Sequence, residues 1–213
     1  MLRPSDQEYK ISKKIKLAEA CIDDTFKPLA NWIDAKFHVK VLNIVTDTIN
    51  GGTLRLQLIF EHQKDADKFL LKDKFSQSSR KGKTIAKKYH ELFKNASVDS
   101  ILVLIYAFEP LAREEAVTSM PAKIRDSFKD RYKDMLWEIA VFGEYVTFFF
   151  FSNEQLKNAQ QHGTTSSIKE EFYALLKPYD RLNYLRLENF TAIFDSKENF
   201  DQNYDSNWRW YYS

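Results

Sequence analysis

Glycine, proline and cysteine are scarce in this chain of 213 residues, which contains five glycines, five prolines and one cysteine. The single cysteine, Cys21, excludes an intrachain disulfide and favours a reducing compartment. The glycines form neither the pattern of a dinucleotide-binding loop nor the Gly-x-Ser-x-Gly turn of a serine hydrolase. We therefore expect no cofactor, and an enzymatic function is the less favoured class.

Long apolar runs are also missing. The longest, YVTFFFF at 145–151, is far too short to cross a bilayer, which takes about 20 residues. The first sixteen residues, MLRPSDQEYKISKKIK, lack the apolar core of a secretory signal. We therefore expect a cytoplasmic protein without a membrane partner.

The charge is nearly balanced overall but unevenly distributed. The net charge is +2, yet residues 1–100 carry 19 basic and 13 acidic side chains, whereas residues 101–213 carry 13 and 17. The net charge is therefore +6 for the first part and −4 for the second. A charge pattern of this kind does not by itself require nucleic-acid binding.

Turn and strand patterns predict the fold class. Asn50-Gly51-Gly52 separates two β-rich runs, and Gly143 lies between two more, so two β-hairpins are expected. The length of 213 residues and the 44% hydrophobic content suit one globular domain, or at most two small ones, and we expect a single domain over residues 1–213. The sequence predicts a mixed α/β (α+β) fold in which helices pack on a single mixed sheet of about six or seven strands.

A long helical segment is expected near the beginning of the chain. Ser5-Asp-Gln-Glu8 has the pattern of a capping box, and apolar residues then follow at steps of three and four up to Ile33. Pro28 interrupts this stripe, because its ring would clash with the carbonyl of Asp24. The pattern predicts a long N-terminal helix, either kinked at Pro28 or divided into two abutting helices.

A strand-to-helix junction recurs four times along the chain. Each copy is an aromatic-ended strand that runs into a charged helix start. The pattern fits ordinary α/β junctions, where an acidic or serine residue caps the helix, and it also fits an internal duplication. The four segments are IFEHQKDADKF, YAFEPLAREEA, FFSNEQLKNA and IFDSKENFDQ.

Five aromatic residues crowd the last ten positions, in NYDSNWRWYYS. Trp208, Trp210 and Tyr212 are two apart, so the segment favours a C-terminal strand with both tryptophans in the core. The alternative is that part of the cluster faces outward, since Trp, Tyr and Arg dominate binding hot spots.

A basic helix at about 79–95 supports one alternative function. Between Lys72 and Lys94 the chain carries eight basic residues and two acidic ones, Asp73 and Glu91. A solvated helix face explains this pattern, and so does a phosphate-binding surface. For a nucleic-acid-binding protein, the contacting residues would be Arg80, Lys81, Lys83, Lys87 and Lys88.

Asp195-x-Lys197 ends a predicted strand, and Asp180 lies fifteen residues earlier. This arrangement resembles the core of restriction-type metal nucleases, in which two carboxylates hold Mg²⁺ and a lysine stabilises charge. The resemblance implies a Mg²⁺-dependent nuclease with Asp180, Asp195 and Lys197 as catalytic residues. It departs from that core at Asp180, which follows Pro178-Tyr179 in a predicted loop.

The leading hypothesis is a non-enzymatic protein-binding protein. It needs a stable scaffold, a charged surface and a few large side chains, but no catalytic spacing and no metal. An immunity protein that inhibits a bacterial toxin is one example, and the acidic C-terminal part suits a basic partner such as a nuclease domain. The predicted contact residues are Glu188, Asp195, Glu198, Asp201, Tyr204, Asp205, Trp208 and Tyr211.

Overall fold

The computed structural model describes residues 2–71 and 78–213, and the chain divides into two compact units, Met1–Leu111 and Ala112–Ser213. The described residues form ten α-helices and six β-strands, which confirms the mixed α/β class. The predicted single sheet of six or seven strands is wrong, because each unit has its own three-stranded sheet. The prediction of one domain over residues 1–213 concerns how the units associate, and it stays a prediction.

Unit 1 contains the first predicted hairpin. Strands β1 and β2 are antiparallel, and β2 also pairs in parallel with β3, so β2 is central. Gly51 and Gly52 both have positive φ angles, of 79° and 80°, which explains two adjacent glycines at the turn. The elements are α1 (Gln7–Lys16), α2 (Lys27–Phe37), β1 (Val41–Ile49), β2 (Thr53–Phe60), α3 (Gln63–Asp67), α4 (Ser79–Phe93), β3 (Ile101–Ala107) and the start of α5 (Phe108–Thr118).

The N-terminal segment forms two helices, so the predicted long N-terminal helix is wrong. The two helices do not abut at Pro28 either, because residues 17–26 separate them. Pro28 lies in the first turn of α2, where its missing N–H is tolerated. The capping box at Ser5 does not form. The N-cap is Asp6, whose carboxylate accepts a hydrogen bond from the Arg3 N–H over 2.8 Å.

Each face of the unit 1 sheet is covered by helices. Leu56, Leu58 and Phe60 of β2 are fully buried in a core that also includes side chains from α2 and α4. We call this side the inner face. On the outer face lies α1, where Tyr9 stacks on Phe108 with ring centroids 5.0 Å apart and Asn43 donates to the Ser12 hydroxyl over 3.1 Å.

Unit 2 contains the second predicted hairpin. Strand β5 is central, antiparallel to β4 and parallel to β6. Its inner face packs Val146, Phe148 and Phe150 against helix side chains that include Phe128 and Phe172. The elements are α6 (Ala122–Arg131), β4 (Leu136–Phe142), β5 (Tyr145–Phe150), α7 (Asn153–Gln161), α8 (Thr164–Leu176), β6 (Ala192–Ser196), α9 (Lys197–Tyr204) and α10 (Trp208–Tyr211).

The two units repeat the same order of elements from the hairpin to the helix after the third strand, and they also repeat a detail of strand pairing; α10 is additional in unit 2. The register shifts once in each hairpin, between Val41 and Asn43 in β1 and between Leu136 and Glu138 in β4. After the shift, Asn43 accepts a hydrogen bond from the next backbone N–H over 2.9 Å, and Glu138 does the same over the same distance. A β-bulge therefore occupies the same place in both sheets.

A second shared detail joins the helix after the hairpin to the helix after the third strand. Glu109 is the second residue of α5, and its Oε2 accepts from the Gln63 N–H over 3.4 Å. Glu198 is the second residue of α9, and its Oε2 accepts from the Asn153 N–H over 3.0 Å. These coincidences favour an internal duplication over ordinary junction chemistry as the source of the recurring sequence pattern.

The predicted C-terminal strand is wrong, because residues 208–211 form the short helix α10. The Asn207 side chain caps this helix and accepts from the N–H groups of Arg209 and Trp210. One helical turn then directs Trp208 and Tyr211 towards the same neighbours, Phe149 and Phe200. None of the helices in residues 2–71 and 78–213 combines the length and apolar character that crossing a membrane requires.

Candidate functional site

The aromatic C-terminus packs on the outer face of the unit 2 sheet. The Trp208 ring lies 4.3 Å from that of Phe200 and 5.4 Å from that of Phe149, measured between centroids, and it stacks on Trp137 at 6.1 Å. Aromatic pairs at these distances are favourable beyond the area they bury. The last helix is therefore fixed to the sheet rather than frayed.

A polar contact below these rings holds the same helix. The Tyr211 hydroxyl donates to Asp195 Oδ2 over 2.7 Å, and Asn199 Nδ2 donates to both oxygens of that carboxylate. Burial raises the pKa of Tyr211 far above its ordinary value, and the bond to Asp195 raises that pKa further. Asp195 is thus an acceptor within the fold.

An open apolar groove runs between the C-terminal helix and the tip of the β4–β5 hairpin. Its volume is about 620 Å³. Phe142 is 53% exposed and stacks on Tyr212 at 4.6 Å, while Trp208 is 39% exposed. We call it the tail groove. It is lined by Ala140, Val141, Phe142, Trp208, Arg209, Tyr212 and Ser213.

The tail groove combines three features that are common at protein interfaces. It has large aromatic side chains, a cation at Arg209 and a rigid base formed by strand β4. Trp210 lies on the same short helix and is 55% exposed, which is the largest exposure among the large hydrophobic residues that the structure describes. The outward-facing alternative for the aromatic cluster is therefore the one that agrees with the exposures.

Several of the acidic residues predicted as partner contacts are engaged within unit 2. Asp201 pairs with Lys197 and accepts from the Ser206 hydroxyl, and these two contacts lower its pKa. Glu198 caps α7 through Asn153, as described above. Asp205 and Glu188 are exposed.

Tyr204, the remaining predicted contact residue, packs edge-to-face on Tyr211 with the ring centroids 4.9 Å apart. Of the predicted aromatic contacts, Trp208 and Tyr211 belong to α10 and Tyr204 packs on Tyr211. Asp195 and Glu198 accept hydrogen bonds within unit 2, and the prediction that the eight residues contact a partner stays a prediction.

The three residues of the nuclease resemblance are engaged with different partners. Asp180 is buried and accepts from the N–H groups of Tyr184 and Leu185 and from Lys177 Nζ, so its carboxylate organises the loop after α8. Asp195 accepts from Tyr211 and Asn199. Lys197 pairs with Asp201 and lies 5.3 Å from the centroid of the Trp137 ring.

Within residues 2–71 and 78–213, no group of three or more His, Cys, Asp or Glu side chains is arranged to hold an ion. Asp180 accepts three hydrogen bonds within unit 2, so about three of the four acceptor positions of its carboxylate are used by the fold.

Helix α4 exposes some of the basic residues predicted as nucleic-acid contacts and engages the others within unit 1. Arg80, Lys83 and Lys87 are exposed. Lys81 instead donates to the Lys68 carbonyl, and Lys88 pairs with Glu91 and lies 5.9 Å from the centroid of the Trp32 ring. Lys72, Asp73 and Lys74 of the predicted basic stretch lie outside the described residues.

Sequence reasoning missed Phe142 and Arg209 as members of the candidate surface. Phe142 ends β4 immediately before Gly143, whose φ of 60° forms the hairpin turn. An aromatic residue at a hairpin tip was a usable signal, because hairpin tips are more often exposed than strand centres. Arg209 lies between two tryptophans in the sequence, but only the helical conformation brings it to the groove.

The chain matches no protein-family model, no curated protein and no solved structure with which it was compared.

Proposed function

We propose that this protein is a non-enzymatic protein-binding protein whose tail groove contacts the partner. The single observation that carries the proposal is the exposure of Phe142, Trp208 and Trp210 around one short helix that is itself firmly packed. Exposed aromatic side chains on a rigid base lose little conformational entropy on binding, which makes them effective contact residues.

The net charge of the C-terminal segment supports a basic partner. Residues 188–213 carry five acidic side chains and two basic ones, a net charge of −3. Charge of one sign increases the rate of association with a partner of opposite sign. An immunity protein that inhibits a basic bacterial toxin, such as a nuclease domain, is the specific example we propose, acting in the cytoplasm.

Asp180, Asp195 and Lys197 each bond to different partners, and this supports a binding function over a nuclease function. In the restriction-type arrangement, the lysine and both carboxylates converge on one reacting phosphate. Here Lys197 pairs with Asp201 and lies over the Trp137 ring, and Asp180 accepts from two backbone N–H groups and from Lys177.

Affinity capture from the native host with matched variants tests the proposal. The full chain is used as bait beside Phe142→Ser and Trp210→Ser, which alter exposed rings, and beside Leu92→Ser, which alters an exposed residue of α4 in unit 1. We expect a stoichiometric partner that is retained by the wild type and by Leu92→Ser, and lost from the two aromatic variants.

Retention of the partner by all four proteins would refute the tail groove as the contact. Capture of no stoichiometric protein would count against the binding function itself. The folded state of each variant is checked by near-ultraviolet circular dichroism, which reports on the packing of the tryptophan rings.

A further inference from the structure

A second concave surface lies in unit 1, on the outer face of its sheet, beneath the N-terminus of α1. Its volume is about 290 Å³, at the small end of the range for ligand sites. We call it the α1 pocket. It is lined by Leu2, Asp6, Gln7, Glu8, Arg55, Gln57 and Tyr106.

Charged groups of both signs meet in the α1 pocket. Arg55 makes a bidentate pair with Asp47 of the neighbouring strand, with Nε to Oδ1 at 2.7 Å. Asp47 takes two of the five guanidinium donors, so others remain for a ligand. Asp6 and Glu8 line the same space from α1, which leaves the group of four charges with a net charge of −2.

Gln57 is the most unusual lining residue. It is only 4% exposed, and its Nε2 has no hydrogen-bond partner in the described part of the chain. An unpaired buried amide donor destabilises the fold by about 1–3 kcal/mol, so such groups are rare in native proteins. Tyr106 lies one strand away, and burial is the main cause that raises the pKa of its hydroxyl, which therefore remains a donor.

The corresponding part of the unit 2 sheet is covered by a helix. By strand register, Thr147 takes the place of Gln57 and Asp195 takes the place of Tyr106. There the C-terminal helix covers the outer face, with Tyr211 on Asp195 and the Tyr212 hydroxyl 3.5 Å from Thr147 Oγ1. In unit 1 this part of the outer face instead lines an open pocket.

We propose that the α1 pocket binds a small zwitterion of the amino-acid class that carries a cationic side chain. Glu8 and Asp6 provide acceptors for ammonium groups. Arg55 and Tyr106 provide donors for a carboxylate, in a site of matching size, and Gln57, whose Nε2 is shielded from solvent, forms part of the pocket wall. The net charge of −2 favours a ligand of net charge +1 over a neutral one.

Isothermal titration of the full chain with L-lysine and L-arginine tests the proposal. Cadaverine, which lacks the carboxylate, and L-norleucine, which lacks the side-chain ammonium, are the comparison probes. We expect saturable binding of at least one of the two cationic amino acids below about 1 mM, and at least about tenfold weaker binding of both comparison probes.

Two variants locate the binding. Glu8→Gln removes one pocket carboxylate, whereas Glu19→Gln makes the same charge change at an exposed position outside the pocket. We expect about tenfold weaker binding for Glu8→Gln and no change for Glu19→Gln, since one charge-assisted hydrogen bond is lost only in the first.

Three results would overturn the proposal. They are the absence of saturation by either amino acid, equal binding by Glu8→Gln and the wild type, and binding of cadaverine as tight as that of L-lysine. Because the α1 pocket lies in unit 1 and the tail groove in unit 2, either proposal can fail while the other stands.

Discussion

The Tyr211 hydroxyl and Asp195 Oδ2 lie 2.7 Å apart, and this hydrogen bond joins the last helix of unit 2 to its third strand. It lies beneath the packed rings of Phe149, Phe200 and Trp208, each of which is 5.2–6.4 Å from the Tyr211 ring. The bond therefore helps to fix the rigid base on which the tail groove depends.

Removal of that hydroxyl should destabilise the fold measurably. Tyr211→Phe keeps the ring and leaves Asp195 without one of its donors, at a cost of about 1–3 kcal/mol in the free energy of unfolding. Urea unfolding followed by tryptophan fluorescence measures the change. Tyr145→Phe, at an exposed position in the same unit, is the control and should remain within about 0.5 kcal/mol of the wild type.

Alkaline pH should weaken the same contact. The pKa of Tyr211 in the folded protein is raised above its unfolded value of about 10 by burial and by Asp195. A raised pKa means that the folded state binds the proton more tightly, so the stabilisation is complete below about pH 10 and is lost as pH rises further.

Urea unfolding at several pH values between about 8 and 11 measures this dependence. We expect the free energy of unfolding to fall more steeply above about pH 10 for the wild type than for Tyr211→Phe. Other buried tyrosines, such as Tyr106, act in the same direction in both proteins, so the difference isolates Tyr211. Parallel curves would contradict the prediction.

The repeated glutamate contact predicts a local effect in α7. Glu198→Ala removes the acceptor for the Asn153 N–H at the first residue of that helix, and about 1 kcal/mol of stability should be lost. In hydrogen-exchange measurements, the backbone amides in the first turn of α7 should exchange faster in Glu198→Ala than in the wild type. Glu188→Ala, an exposed acidic residue of the same unit, should leave that turn unchanged.

The Arg55–Asp47 pair predicts an acid effect in unit 1. Arg55 lowers the pKa of Asp47 below its unfolded value of about 4, so the pair stabilises the fold above that pH and loses its effect as pH falls through the folded value. The pair is partly exposed, so solvent screening limits its contribution.

Asp47→Asn should therefore cost about 0.5–1 kcal/mol at pH 7, and this cost should be smaller near pH 2, where Asp47 is protonated in the unfolded chain. Chemical unfolding at the two pH values tests this. A cost that is the same at both would show that the substitution acts through packing and not through charge.

Local sequence patterns predicted much of the fold. The glycines at 51, 52 and 143 marked both hairpins, and a three-residue loop at 50–52 predicts Ile44 opposite Leu58, which is confirmed, and Leu42 opposite Phe60, which is wrong. The bulge between Val41 and Asn43 places Val41 opposite Phe60 instead. Strand pairing beyond the hairpins depends on which neighbour each strand selects, and a strand does not encode this choice locally. The sequence therefore indicated the strands but not their division into two sheets.

The aromatic tail shows why the site was harder to predict than the fold. The spacing of Trp208, Trp210 and Tyr212 fits a strand, yet the Asn207 cap and packing on Phe149 and Phe200 favour a helical turn. Tertiary contacts therefore favour the helical conformation of the four residues of α10, Trp208–Tyr211. Phe142, which is distant in sequence, joins the surface only through that packing.

Site-specific photo-crosslinking from position 142 tests the central claim, that the tail groove contacts another protein. A photoreactive phenylalanine analogue replaces Phe142 in the full chain expressed in the native host, with the same replacement at Leu92 as the comparison. We expect a discrete covalent adduct with one partner from position 142 and none from position 92. Equal adducts from both positions, or no adduct from position 142, would contradict it.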